Sequence, residues 1–161
     1  MKQVMKFSAI SAGAMLLALG GCASDVDQPA NLAVTMTGIQ EVPGPGDADG
    51  TGTVEIRVDP HDGQLCWNLY ARGIDAATAA HIHRGEAGIA GPVVLMLTTP
   101  GADGHSQGCA TIDLGLAREI ANQGHIFYVN VHNAAFPNGA IRGQLRGGPR
   151  SGSFRAGQPG T

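Results

Sequence analysis

Three histidines carry the most suggestive chemistry in this chain. His81 and His83 are two apart in the run Ala80–Arg84. On a strand that spacing puts both rings on one face, with Cα atoms ~6.5–7 Å apart. Two imidazoles so placed can converge on one metal at ~2.0–2.1 Å. His132 closes another alternating run, in which Phe127, Val129 and Val131 face one way while Tyr128, Asn130 and His132 face the other. If the two strands are neighbours, His132 completes a triad, with His105 an optional fourth ligand from the segment 98–108. Neutral imidazoles without a thiolate or carboxylate suit copper better than structural zinc, which favours cysteine-rich tetrahedra. Tyr128 and Asn130 would orient a ring through its other nitrogen. The plainer use of the same histidines is hydrogen bonding to backbone in a polar corner of a sheet.

Other chemistries find no residues. There is no G-x-S-x-G, Walker A, H-E-x-x-H or C-x-x-C motif, so no catalytic residue is assigned and the chain reads as a binding protein rather than an enzyme. The stretch Asp47-Ala48-Asp49-Gly50 resembles a calcium loop faintly, but position twelve is Val58, where a bidentate Glu is needed.

The N-terminus places the chain outside the cytoplasm. Met1–Lys6 holds two lysines and Phe7–Leu19 is a small, apolar run, as in the first two regions of a signal peptide and too short for a permanent membrane span. It ends in Leu19-Gly20-Gly21-Cys22, which resembles the bacterial lipobox. The resemblance implies a signal peptide over 1–21, acylation (palmitate) of Cys22 and a membrane anchor. Several chains at ~0.8 kcal/mol per buried CH₂ make such anchoring effectively permanent. Ala23 in place of Asp favours the outer membrane, on its periplasmic or surface side. The two remaining cysteines, Cys66 and Cys109, read as a disulfide in an exported protein, with a copper thiolate as the alternative.

The elements that must position these residues are short strands. Residues 22–30 form a polar tether, and Leu32–Met36, Gly52–Val58 and Gln64–Ala71 follow as strands, the last two joined by the turn Asp59–Gly63. Ala80–Arg84, Val93–Leu97 and Cys109–Ile112 continue the pattern, with 98–108 as a loop. Asp113 caps a helix over Leu114–Gln123 that stops at Gly124. His125–His132 and Ala140–Leu145 are the closing strands, and 147–161 is a disordered tail after a domain spanning 31–146. Seven to eight strands and one short helix predict an all-β Greek-key sandwich or barrel.

Composition agrees. Gly numbers 25 of 161 residues and aromatics are 4%, which suits turns and short strands. After the leader, eight Arg and no Lys stand against thirteen acids, a net charge of −5, which excludes ordinary nucleic-acid binding.

Taken in order, Thr37-Gly38-Ile39-Gln40-Glu41-Val42-Pro43, Gly73 through Gly85 with His81-Ile82-His83, Tyr128 through Asn133, and Pro137-Asn138-Gly139-Ala140-Ile141-Arg142-Gly143-Gln144-Leu145 resemble the CHRD domain, named for chordin and found in bacterial exported proteins. The resemblance covers Leu32–Leu145. It implies an exported β-sandwich that acts as a binding or envelope module without catalysis, its partner unspecified. A fainter resemblance links His81-Ile82-His83, Val129-Asn130-Val131-His132 and Gly139-Ala140-Ile141-Arg142 to copper–zinc superoxide dismutases. It implies copper at His81, His83 and His132, and a loose match of Arg142 to the arginine that guides the anion. The zinc-binding loop of those enzymes has no counterpart between Arg84 and Val93.

Overall fold

The fold is that of a computed structural model, which describes residues 28–147. The leader, Cys22, most of the tether and the tail beyond Gly147 lie outside the described residues. Among the described residues, nine strands, β1 (Ala30–Thr37), β2 (Thr51–Asp59), β3 (Gln64–Arg72), β4 (Ala77–Arg84), β5 (Val93–Leu97), β6 (His105–Thr111), β7 (Phe127–Asn133), β8 (Ile141–Gln144) and β9 (Arg146–Gly147), accompany one α-helix, α1 (Leu114–Asn122). All strand pairings are antiparallel. The order is β5-β4-β7-β8-β1-β2-β3-β6, with β9 added against β1, in a nearly closed barrel. Connections that skip strands give it the expected Greek-key character.

The period of two decides which face turns inward. In β2, Val54, Ile56 and Val58 are buried while Thr53, Glu55 and Arg57 are exposed. In β3, Leu65, Trp67 and Leu69 are buried in the same way. These side chains meet Leu32, Met36, Ile82, Phe127, Val129, Val131, Ile141 and Leu145 in one core. At ~25 cal/mol per Å² of apolar surface, each such side chain contributes ~1.5–3 kcal/mol as an upper bound. The helix adds Ala117 and Ile120 to this core. It starts as expected, because Asp113 Oδ1 accepts from Gly115 N at 2.8 Å and Leu116 N at 3.1 Å and satisfies two otherwise orphan donors.

The predicted β2–β3 hairpin is present, its turn held by Gly63 N donating to Asp59 O at 3.0 Å. Cys66 and Cys109 stand opposite each other across β3 and β6 and form the expected disulfide.

Several boundaries differ from the sequence reading, β4 among them beginning at Ala77 rather than Ala80. β6 begins at His105 rather than Cys109, because polar His105, Gln107 and Gly108 pair with Tyr70, Asn68 and Trp67 despite lacking strand propensity. Gly108 is required there, since a Cβ would lie 2.5 Å from the Trp67 ring. β7 begins at Phe127 rather than His125, because residues 124–126 wind into a 3-10 turn closed by Ile126 N on Gln123 O at 3.0 Å. Gly147, assigned to the tail, pairs with Leu32 as the end of β9.

Candidate functional site: a histidine cluster under a loop roof

The outward face of β4, β7 and β8 is polar in sequence yet mostly buried. Register places His81 opposite Asn130, His83 opposite Tyr128 and Ala79 opposite His132, so both histidines of β4 share a face with Tyr128, Asn130 and His132. β8 extends that face with Arg142 opposite Asn130 and Gln144 opposite Tyr128. Tyr128 and Arg142 are each 2% exposed and Asn130 is 3%, so β7 is covered on both sides.

The cover is residues 85–92, between β4 and β5. Arg142 Nη2 donates to the carbonyls of Glu86 and Ile89 at 3.0 Å each. Gln144 Nε2 donates to Gly85 O at 2.7 Å. Gly91 N donates to the Tyr128 hydroxyl at 3.2 Å, and His83 Nδ1 donates to Gly91 O at 2.9 Å. Gly91 must be glycine, since a Cβ there would overlap the Arg84 carbonyl. Beneath this roof the rings stack: His83 lies on Tyr128 with centroids 4.7 Å apart and planes 9° apart. The Arg142 guanidinium covers the other ring of that pair, 3.4 Å from the Tyr128 centroid, a cation–π contact within the favourable range. Arg142 is therefore a tie between sheet and roof, closed off from solvent rather than presented to a passing anion.

Glu41 borders the same region. It is 4% exposed, and burial raises its pKa from 4.5 to about 7, opposed by the Arg142 charge. Gly139, with φ 136°, makes room for it: a Cβ there would lie 2.3 Å from the Glu41 carboxyl carbon.

The three histidines converge. Their ligating nitrogens lie within 4.8 Å of one another, and His81 Nδ1 is 3.2 Å from His132 Nε2. The second nitrogens are held by backbone. His83 donates through Nδ1 to Gly91 O as above, and His132 Nδ1 donates to Pro137 O at 2.9 Å. In a neutral imidazole this leaves Nε2 of both rings as bare lone pairs. His83 Nε2 is buried without a hydrogen-bond partner, although buried polar atoms rarely lack one. Burial, then the neighbouring histidine charges, lower the pKa of His81. Burial first, and His83 after it, also lower that of His132, against the Pro137 hydrogen bond. Both shifts favour the neutral form that a metal requires.

His105 is not brought to the cluster. It sits on β6, at the far end of the strand order, with Nε2 2.8 Å from Asn68 Oδ1 and its ring stacked on Tyr70 at 4.5 Å. As a fourth ligand it is displaced by the pairing of β6 with β3. Sequence reasoning found the triad and Tyr128 but missed the Arg142–Tyr128–His83 stack and the roof. The glycines of 85–92 were visible, but nothing in them says that the loop folds back over the sheet. The aspartates of 47–50 form a plain turn, with Asp49 N donating to Asp47 Oδ1 at 3.2 Å and Gly50 N to Asp47 O at 3.2 Å.

A polar, ring-bearing patch on a nearly closed antiparallel barrel defines a small β module. The sequence model of the CHRD domain matches residues 32–145, and the chain belongs to the CHRD domain family. No curated protein and no solved structure matches it.

Proposed function

We propose that this protein is a lipid-anchored module of the bacterial cell envelope that binds copper through His81, His83 and His132. One observation carries the metal reading: three imidazoles whose ligating nitrogens lie within 4.8 Å of one another, two of them turned inward by hydrogen bonds to backbone carbonyls. The family supports a binding module in general terms. The anchor rests on Leu19-Gly20-Gly21-Cys22, with the outer membrane as its destination and the acyl chains of Cys22 as its membrane contact.

In this reading the protein's residues bind and orient. Gly91 O and Pro137 O fix the tautomers of His83 and His132. Tyr128 holds the His83 ring plane, and His81 and His132 would give up their mutual hydrogen bond to hold a metal between them. Binding is the function; a dismutase-like turnover is the lesser reading, separable by assay.

Purified mature protein titrated with copper should bind one equivalent, and His83→Ala should abolish that stoichiometry. Wild-type protein that takes up no copper would refute the metal reading. Superoxide consumption that is lost in His83→Ala would move the assignment to a redox enzyme. For the anchor, a clickable fatty acid should label wild type, whereas Cys22→Ser should lose the label and accumulate precursor. A soluble, unlabelled and normally cleaved wild type would overturn it.

A further inference from the structure

We propose that Met96 is the fourth ligand of the histidine site and that it makes the site select monovalent copper over zinc. This inference rests on the metal reading of the triad.

The register carries it. Met96 on β5 stands directly opposite His81 on β4, and directly opposed residues of an antiparallel pair project from the same face with Cβ atoms ~4.5–5.5 Å apart. The neighbouring pairs agree: Leu97 opposite Ala80 and Leu95 opposite Ile82 turn toward the core. Met96 therefore faces outward beside the cluster. It is 64% exposed, and among the described residues β5 ends the strand order. Its unbranched side chain has three rotatable bonds and a polarizable sulfur, enough freedom to swing across the strand to a metal at His81. The pairing of β4 with β5 also slips between Ile82 and His83. Irregularities of this kind re-aim side chains beside functional sites.

The donor set then decides the metal. Three imidazoles and a thioether are all neutral, and no carboxylate or thiolate belongs to the cluster among the described residues. A half-buried site without ligand charge favours the ion of lower charge, and a soft thioether favours copper(I). Zinc prefers thiolate, imidazole and carboxylate and gains nothing from Met96.

The test compares wild type, Met96→Leu and His83→Ala as full mature protein, titrated with copper(I) against a competing chelator and separately with zinc. Met96→Leu preserves volume on an exposed position, so folding is not at issue. Copper(I) affinity should fall by at least about tenfold in Met96→Leu, the scale seen when a site loses a supporting group, while zinc affinity stays unchanged. X-ray absorption should show a sulfur scatterer on copper in wild type and none in Met96→Leu. Equal copper(I) affinity in the two proteins, or no sulfur around copper in wild type, would overturn the role of Met96 while leaving the triad standing. Wild type that binds neither metal would overturn both.

Discussion

The outward faces of the two halves of this sheet are written in similar residues and treated oppositely. On β2 and β3, Thr53, Glu55, Arg57 and Tyr70 are exposed, and the half is pinned at its edge by Cys66–Cys109. On β7 and β8, Tyr128, Asn130 and Arg142 are buried beneath residues 85–92. Each half holds histidine. His105 on the open side is satisfied by Asn68 and Tyr70, whereas His83 on the roofed side keeps one buried nitrogen without a partner. The two histidines differ in their surroundings: one is hydrogen-bonded to an amide and stacked on a ring, the other keeps a buried nitrogen without a partner.

The contrast breaks most severely at Arg142. Arg142→Leu leaves the Glu86 and Ile89 carbonyls without their donor and Glu41 without its counter-charge, and should cost ~3–5 kcal/mol in denaturant unfolding. Hydrogen exchange should rise first in residues 85–92. The equivalent blow to the open half is loss of the disulfide: a Cys66→Ser, Cys109→Ser double variant should lose ~2–4 kcal/mol while its copper titration stays as in wild type. A smaller effect comes from Glu41. Its folded pKa of about 7 exceeds the ordinary 4.5, so the folded state holds the proton more tightly. That contribution is complete below pH 4.5 and is lost as pH rises through about 7. Stability curves of wild type and Glu41→Gln, measured between those limits, should converge at low pH and separate in favour of Glu41→Gln as pH rises. Tyr128→Phe removes only the hydroxyl at Gly91 and should cost ~1 kcal/mol. Thr53→Ser, on the open face, should change stability by less than ~0.5 kcal/mol.

What was legible follows the same division. The inward face could be read from alternation, since Val54, Ile56 and Val58, or Phe127, Val129 and Val131, announce a buried side through a period of two. The cap at Asp113 and the turn at Asp59–Gly63 are equally local, whereas the cysteines, 43 residues apart, are legible because only these two follow Cys22. The triad was half legible: His81-Ile82-His83 gave the shared face, but only the pairing of β4 with β7 could bring His132 to it. The roof was not legible, because its bonds are made by backbone carbonyls of Gly85, Glu86, Ile89 and Gly91, which every sequence possesses. β6 runs longer than its sequence signal because the pairing of His105 and Gln107 with β3 overrides weak propensity.

The separation of His81 from His132 by 51 residues has a consequence in time. Of the three rings, an unfolded chain holds only His81 and His83 close together. The full site comes into being when β4 meets β7, so a metal that needs all three rings binds the folded state alone. Its affinity becomes a mass-action term in folding, amounting to ~2.7 kcal/mol when free metal is a hundredfold above the dissociation constant. If the chain is exported unfolded, as the proposed function has it, it would arrive without a held metal. It would acquire one only on the far side, where metal retention and completed folding become the same event.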